Sequence, residues 1–324
     1  MSQIHLSVLD LCPILSGETP SESLAHVGDL ARHVESLNYE RFWVAEHHDM
    51  EGIGSSSPEV LIPHIAGLTK KMRIGSGGIM LPNHATFHIA EVFRTLEALY
   101  PGRIDLGLGR APGSGSRATV ALRGHNPHAA ENFPQELELL EKYFADELPL
   151  KAVPTRVSRP EIWMLGSSDF GAQLAAQRGL PYSFAQHFSG FPAIEVLNLY
   201  KRNFRASDYL SRPLCMMGCH IICAETDQEA EKLAQSSDLS YLRFIQGGPR
   251  GFLPDPKETE ANPLTPIERA QVRATFPKFI GSPETIKKLL APYIKSGIDH
   301  FMILSMIYDQ EQRRKSYTLL REIL

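Results

Sequence analysis

Short runs rich in β-branched and aromatic residues alternate along the whole chain with longer segments of helical periodicity, and this rhythm limits the possible folds more than any other feature. It starts with IHLSVLD, ESLAHVGDLARHVESL and RFWVAE. The later strand candidates are MRIGSGGIM, RIDLGLGR, EIWMLG, PYSFAQ, LCMMGCHIICA and DHFMILS, each followed by a helical pattern. Eight such units in 324 residues predict an α/β chain folded as a closed (β/α)8 TIM barrel. An open doubly wound sheet usually has only about five or six strands. The expected layout is a single domain over residues 1–324, with one interruption at 240–282. There IQGGPRGFLPDPKETEANPLTP is dense in glycine and proline, which predicts an irregular insertion before the last βα unit, placed as a lid over the barrel mouth. Within it TPIE (265–268) has a capping threonine, a proline at the first helical position and a glutamate three residues after the cap, so a short helix is expected to start there. GSPE (281–284) carries a similar signal for the penultimate helix.

Composition narrows the partners. With 43% hydrophobic residues the chain can bury a large core, and a net charge of −4 with a pI near 6.4 offers nothing to nucleic acid or an anionic membrane. The first residues, MSQIHLSVLD, lack the pattern of a secretory leader, and no apolar stretch is long enough to span a bilayer, so a cytoplasmic protein acting on small molecules is expected. Cys215, Cys219 and Cys223 fall on one side of a strand. They can be read as a metal or cluster site or as small buried residues, and the lack of a tight Cys-x-x-Cys pair favours the second reading.

In a (β/α)8 barrel the active site is built from the C-terminal ends of the strands, so the residues just after each apolar run become candidates. Glu46, His47 and His48 follow the second strand. Adjacent residues of a strand face opposite ways, so the two histidines do not form a metal pair, and His64, His84 and His88 would join them only if their loops converged; no metal is expected. GLGRAPG (107–113) superficially resembles a dinucleotide fingerprint, but Pro112 stands where the third glycine belongs. It leaves Arg110 at the active-site face, suited to an anion or simply solvated. Gly77 and Gly78 interrupt the third strand, permitting a kink, an unusual peptide or close approach of a flat ligand, or marking a plain turn. LGSSDFGAQLAAQRG (165–179) runs from a strand end straight into a helix, where Ser167 and Ser168 are either helix caps or part of a phosphate site.

FWVAEHH, RIGSGGIMLPNH, RIDLGLGRAPG, WMLGSSDFGAQLAAQRGLPYSFA and GSPETI, in this order and separation, resemble the bacterial luciferase-like monooxygenase family, and in particular its FMN-dependent, non-luminescent subgroup. The resemblance spans nearly the whole chain. It implies a (β/α)8 barrel that binds reduced FMN at its C-terminal mouth, with a mobile insertion before the last βα unit. It implies that Glu46 and His47 are catalytic, His47 handling the proton and Glu46 orienting a ring edge or its neighbour; His48, pointing the other way in a regular strand, is expected to pack or to support these residues from behind. It also implies a non-prolyl cis peptide after the third strand, at Gly77-Gly78, supporting the flavin ring. Gly109 takes the place of a reactive cysteine of luciferase, so any role of that thiol is missing. Arg110, Ser167, Ser168 and the amides of Phe170 and Gly171 would hold the FMN phosphate.

The activity implied is oxygenation of a small organic substrate by reduced FMN and molecular oxygen through a flavin peroxide. A separate NAD(P)H-flavin reductase would supply the reduced flavin, and kinship implies a homodimer. Two other readings stay open: a deazaflavin-dependent oxidoreductase on the same barrel, and a flavin-binding protein without catalysis.

Overall fold

The computed structural model describes residues 3–111, 115–123 and 129–324. Pro112 and Gly113 of the glycine-rich motif lie outside the described residues. The eight expected strands are all present: β1 (His5–Asp10), β2 (Arg41–Val44), β3 (Arg73–Met80), β4 (Ile104–Gly109), β5 (Glu161–Gly166), β6 (Tyr182–Ala185), β7 (Cys215–Cys223) and, last in the barrel, β9 (His300–Leu304). All pairings are parallel, β1 pairs with both β2 and β9, and the β6–β7 pairing closes the barrel.

The helices that matter for the site are α1 (Pro20–Ser36), α2 (Pro58–Leu68), α3 (Thr86–Leu99), α4 (Ser116–Arg123), α5 (Phe133–Phe144), α6 (Asp169–Arg178), α7 (Ala193–Asn203) and α8 (Asp227–Ile245). The N-terminus of α1 is set by a capping box in which the Glu22 amide donates to the Thr19 hydroxyl and the Thr19 amide donates to the Glu22 carboxylate.

The insertion is more regular than its composition suggests. Residues 240–245 continue α8, because Leu239, Tyr241 and Leu242 are buried against the barrel and keep the helical turn going. Helices α9 (Pro256–Ala261) and α10 (Pro266–Thr275) follow, then a ninth strand, β8 (Lys278–Gly281), which adds to the outer edge of β7 beyond the barrel. The capping box expected at TPIE is formed by Thr265 and Glu268. Asp255 starts α9 by accepting from the Glu258 amide, a signal that the proline-rich context obscured. The chain then runs through α11 (Pro283–Lys295) and β9 to α12 (Gln310–Ile323).

Two apolar layers make the core. Val8, Phe42, Ile74, Leu106 and Ile162 face the helices, and Leu9, Trp43, Trp163, Met216 and Met302 fill the barrel interior. The interior of a small barrel is often filled by alternating small and large side chains. The two buried indoles, 5.5 Å apart edge to face, stand in register with glycines on the neighbouring strand, Trp43 beside Gly75 and Trp163 beside Gly107. A Cβ on Gly107 would lie 2.1 Å from the Ser76 carbonyl oxygen. Gly107→Ala therefore lowers stability by about 1–3 kcal/mol, read as a drop in thermal or urea midpoint. Beneath the indoles Asp105 binds Arg41 and Arg73 at 2.7 and 2.6 Å and accepts from Trp43 Nε1, which seals the floor with compensated charge.

Cys215, Cys219 and Cys223 face the helix layer as free thiols, and burial pushes the last up to about 12. No helix among the described residues is long and apolar enough to cross a membrane.

Candidate active site

The C-terminal mouth gathers most of the residues singled out from the sequence. Glu46 follows β2 and is fully buried. Its carboxylate accepts from the Met80 amide at 2.8 Å through one oxygen and binds both His48 and His84 at 2.8 Å through the other. The partners it orients are therefore His48 and His84. His84, in the segment after β3, is offered by the sequence only as a remote metal candidate, since nothing in the spacing of LPNH fixes where that loop turns.

Burial alone would pull the His84 imidazole down, but the hydrogen bond and charge of Glu46 outweigh it and raise it above its ordinary value. Burial likewise opposes ionisation of Glu46, yet the contacts with His84, His48 and the Met80 amide hold it below the usual carboxylate range. The sign of the linkage follows. The raised His84 contributes fully below its unfolded value of about 6.5 and loses that contribution as pH rises through its folded value. The lowered Glu46 contributes above its unfolded value of about 4.3 and loses it as pH falls through its folded value. Glu46→Gln brings the His84 pKa down, measured by NMR titration of the imidazole C–H resonances; an unmoved titration would show that the pair is not coupled.

His47 is half-buried, and its amide donates to the Ser55 carbonyl at 3.2 Å. Its side chain is felt by His187 at the end of β6, on the opposite side of the barrel. Burial, helped by the charges of Arg250 and His47, pushes His187 down to about 4. His220, inside β7, is held well below its ordinary value by burial and by nearby cations. Its Nε2 accepts from the Met306 amide at 3.3 Å.

The Gly77-Gly78 peptide is cis. It lies inside β3 and not after it, where the pairing with β4 shifts register between Ser76 and Ile79. A Cβ on Gly78 would meet the Gly107 carbonyl oxygen at 2.5 Å, and one on Gly109 would meet the Met80 sulfur at 2.7 Å. Gly109 thus packs against the residue whose amide Glu46 holds.

On the next side of the mouth, β5 turns into α6 at Ser167-Ser168. The turn is held from behind, by the Ser189 hydroxyl on the Ser167 carbonyl at 2.7 Å and the Tyr182 hydroxyl on the Ser168 carbonyl at 3.1 Å. Ser168 is the N-cap of α6, but its side chain makes no capping bond. Gly171 is buried close against Gly166, while Phe170 is exposed. The guanidinium of Arg110, from the end of β4, lies 4.0 Å over the Phe170 ring and has no carboxylate partner among the described residues.

The family model described as luciferase-like monooxygenase matches residues 5–300. The chain is 43% identical to the protein YvbT of Bacillus subtilis (strain 168), over 98% of this chain and 96% of that one. It is 39% identical to a luciferase-like monooxygenase of Escherichia coli (strain K12), over 99% and 97%. Its fold matches the crystal structure of apo-MsnO8 with a TM-score of 0.91 at 35% identity, covering 99% and 98% of the two chains. More distant structures, alike in fold alone, include the oxygenating constituent of 3,6-diketocamphane monooxygenase in complex with FMN (17% identity, TM-score 0.71). An F420-dependent secondary alcohol dehydrogenase is similar to the same degree (14%, 0.71).

Proposed function

The chain belongs to the luciferase-like monooxygenase family, and we propose that it is a flavin-dependent monooxygenase that uses reduced FMN and molecular oxygen to oxygenate a small organic substrate. The observation that carries this reading is the stacking of Arg110 on Phe170 at the uncapped start of α6. A guanidinium with no carboxylate partner among the described residues, two serine hydroxyls and first-turn amides on one side of the mouth that holds His47 make a donor set fitted to a phosphate.

Arg110, Ser167, Ser168 and the amides of Phe170 and Gly171 hold the phosphate of FMN in this reading, and the cis Gly77-Gly78 backbone, with Gly109 beside it, supports its ring. Reduced FMN, when bound, supplies the activation of oxygen and the transfer of one oxygen atom. The protein's own part is to orient, exclude water and move a proton. His47 is the proton-transferring group, because imidazole titrates near neutral pH and the two other imidazoles deep in the mouth, His187 and His220, are kept neutral. Glu46 acts through His48 and His84, fixing the edge on which His47 sits.

The supplier of reduced flavin is a separate NAD(P)H-flavin reductase, the assembly a homodimer and the compartment the cytoplasm. The test is a panel of candidate substrates incubated with photoreduced FMN and oxygen, read by mass spectrometry. A product heavier by one oxygen atom is expected. Fluorescence titration in which a deazaflavin binds far more tightly than FMN would instead assign the barrel to hydride transfer.

A further inference from the structure

The insertion is tied to the mouth by its backbone. The Leu253 amide donates to Ile14 at 2.8 Å, Ser16 returns a bond to Leu253 at 3.0 Å, and the Gly52 amide donates to the Arg250 carbonyl at 3.0 Å. Residues 250–253 thereby lie across the loops that follow β1 and β2, the second of which carries His47. A Cβ on Gly52 would sit 1.8 Å from the Gly251 carbonyl oxygen, so the two segments are in direct backbone contact.

From this position the half-buried Arg250 side chain turns inward. Its guanidinium lies 4.5 Å over the Tyr241 ring, and Nη2 is 4.0 Å from the sulfur of Met306, a residue only 3% exposed, just beyond β9. Tyr241 belongs to the apolar cluster that continues down the barrel through Leu9 and Trp43, and its hydroxyl donates to the same Met306 sulfur at 3.6 Å. The charge of Arg250 is felt by His187 and His220, which places it over the interior of the mouth.

The neighbouring cations are matched. Arg243 binds Glu258 at 2.7 Å, Arg273 binds Glu231 and Asp238, Lys278 binds Asp238 at 2.6 Å, and Arg313 binds Asp10 at 2.9 Å. Arg250 has no carboxylate within ion-pairing distance among the described residues; its partners are an aromatic face and a thioether. Of the carboxylates at the strand ends, the buried pair is already committed, Glu46 to two histidines and an amide, Asp10 to Arg313, while the exposed Asp49 and Glu51 of the loop after β2 form no ion pair with Arg250. A cation drawn over a partly desolvated apolar surface, with a thioether sulfur as the only acceptor on its planar fork of donors among the described residues, is built to receive an anion.

We propose that Arg250 is the substrate-recognition residue for a carboxylate or sulfonate, so that the substrate is a small organic anion whose apolar part points down toward Tyr241 and the barrel interior. The word substrate here rests on the oxygenase reading; the anion site itself does not. Arg110 and Arg250 divide the mouth between them, the first at the ends of β4 and β5, the second over the loops after β1, β2 and β9.

The test is a binding titration, by calorimetry, of a size-graded panel of aryl and alkyl carboxylates and sulfonates, each beside its neutral amide or sulfonamide, with wild type, Arg250→Gln and Arg250→Lys. FMN affinity and thermal melting are measured on all three. The backbone bonds that pin residue 250 do not involve its side chain, so the variants are expected to melt with wild type. At least one acid binds wild type more tightly than its neutral counterpart by about tenfold or more, Arg250→Gln removes that preference and Arg250→Lys keeps part of it, with FMN affinity unchanged.

The proposal is overturned if no acid in the panel is preferred over its neutral counterpart, or if Arg250→Gln keeps the preference. It is equally overturned if Arg250→Gln weakens FMN instead. Acid binding that depends on Arg250 in a protein that oxygenates nothing would leave the anion site standing and sink only the oxygenase reading.

Discussion

His47→Ala lowers coupled oxygenation by about 10²–10⁴-fold, the range over which a positioned acid or base contributes, and leaves FMN affinity and melting temperature where they were. The expectation rests on which imidazoles of the mouth can exchange a proton near neutral pH. Burial pushes His187 down to about 4 and holds His220 well below its ordinary value, so both stay neutral throughout the working range. His48 and His84 are engaged by the Glu46 carboxylate. His47 is half-buried, and its charge is felt across the barrel at His187. Measuring product formed per flavin oxidised separates the roles. Loss of product with continued flavin oxidation and intact flavin binding is the expected signature, and unchanged coupled turnover would remove His47 from the mechanism.

The second large effect is on stability. Arg313 and Asp10 are a fully buried ion pair at 2.9 Å, at the seam where the first and last barrel strands meet. Arg313 Nε also donates to the Ser305 carbonyl at 2.9 Å, and the same Asp10 oxygen accepts from the Cys12 amide at 2.8 Å. The other Asp10 oxygen is buried with no partner among the described residues, so the carboxylate depends on that single guanidinium for its charge. Arg313→Met leaves a buried, uncompensated carboxylate and costs about 3–5 kcal/mol, measured as the shift of the urea midpoint. Replacing both partners, Asp10→Asn with Arg313→Met, costs less than the single change, because no orphaned charge remains. A single variant that unfolds at the wild-type midpoint would show that solvent reaches Asp10 and screens it.

The strand count, the closed barrel and the grouping of Glu46, His47, Gly109, Arg110, Ser167 and Ser168 near one mouth were legible in the residue pattern. Period-two and helical patterns are local, and the barrel topology then sends every strand end to the same face. The insertion was legible as an interruption and in the start of α10 at TPIE, but α9 and the added strand depend on a cap and an edge pairing that glycine and proline density conceals. The cis peptide at Gly77-Gly78 was legible only through the family resemblance, since Gly-Gly by itself equally permits a turn, and its place inside β3 against the β4 carbonyl was not legible at all.

What the sequence by itself determined is therefore the barrel and the list of side chains delivered to its rim. Tertiary structure alone decided their partners: that Glu46 grips His84 from 38 residues away, that Arg110 lies on Phe170, and that Arg250 reaches in from the insertion with no counter-charge among the described residues. The physical reason is that periodicity specifies which face of an element a residue occupies. Hydrogen bonds and ion pairs are instead selected by distances of a few ångströms between elements, which only the packed loops set.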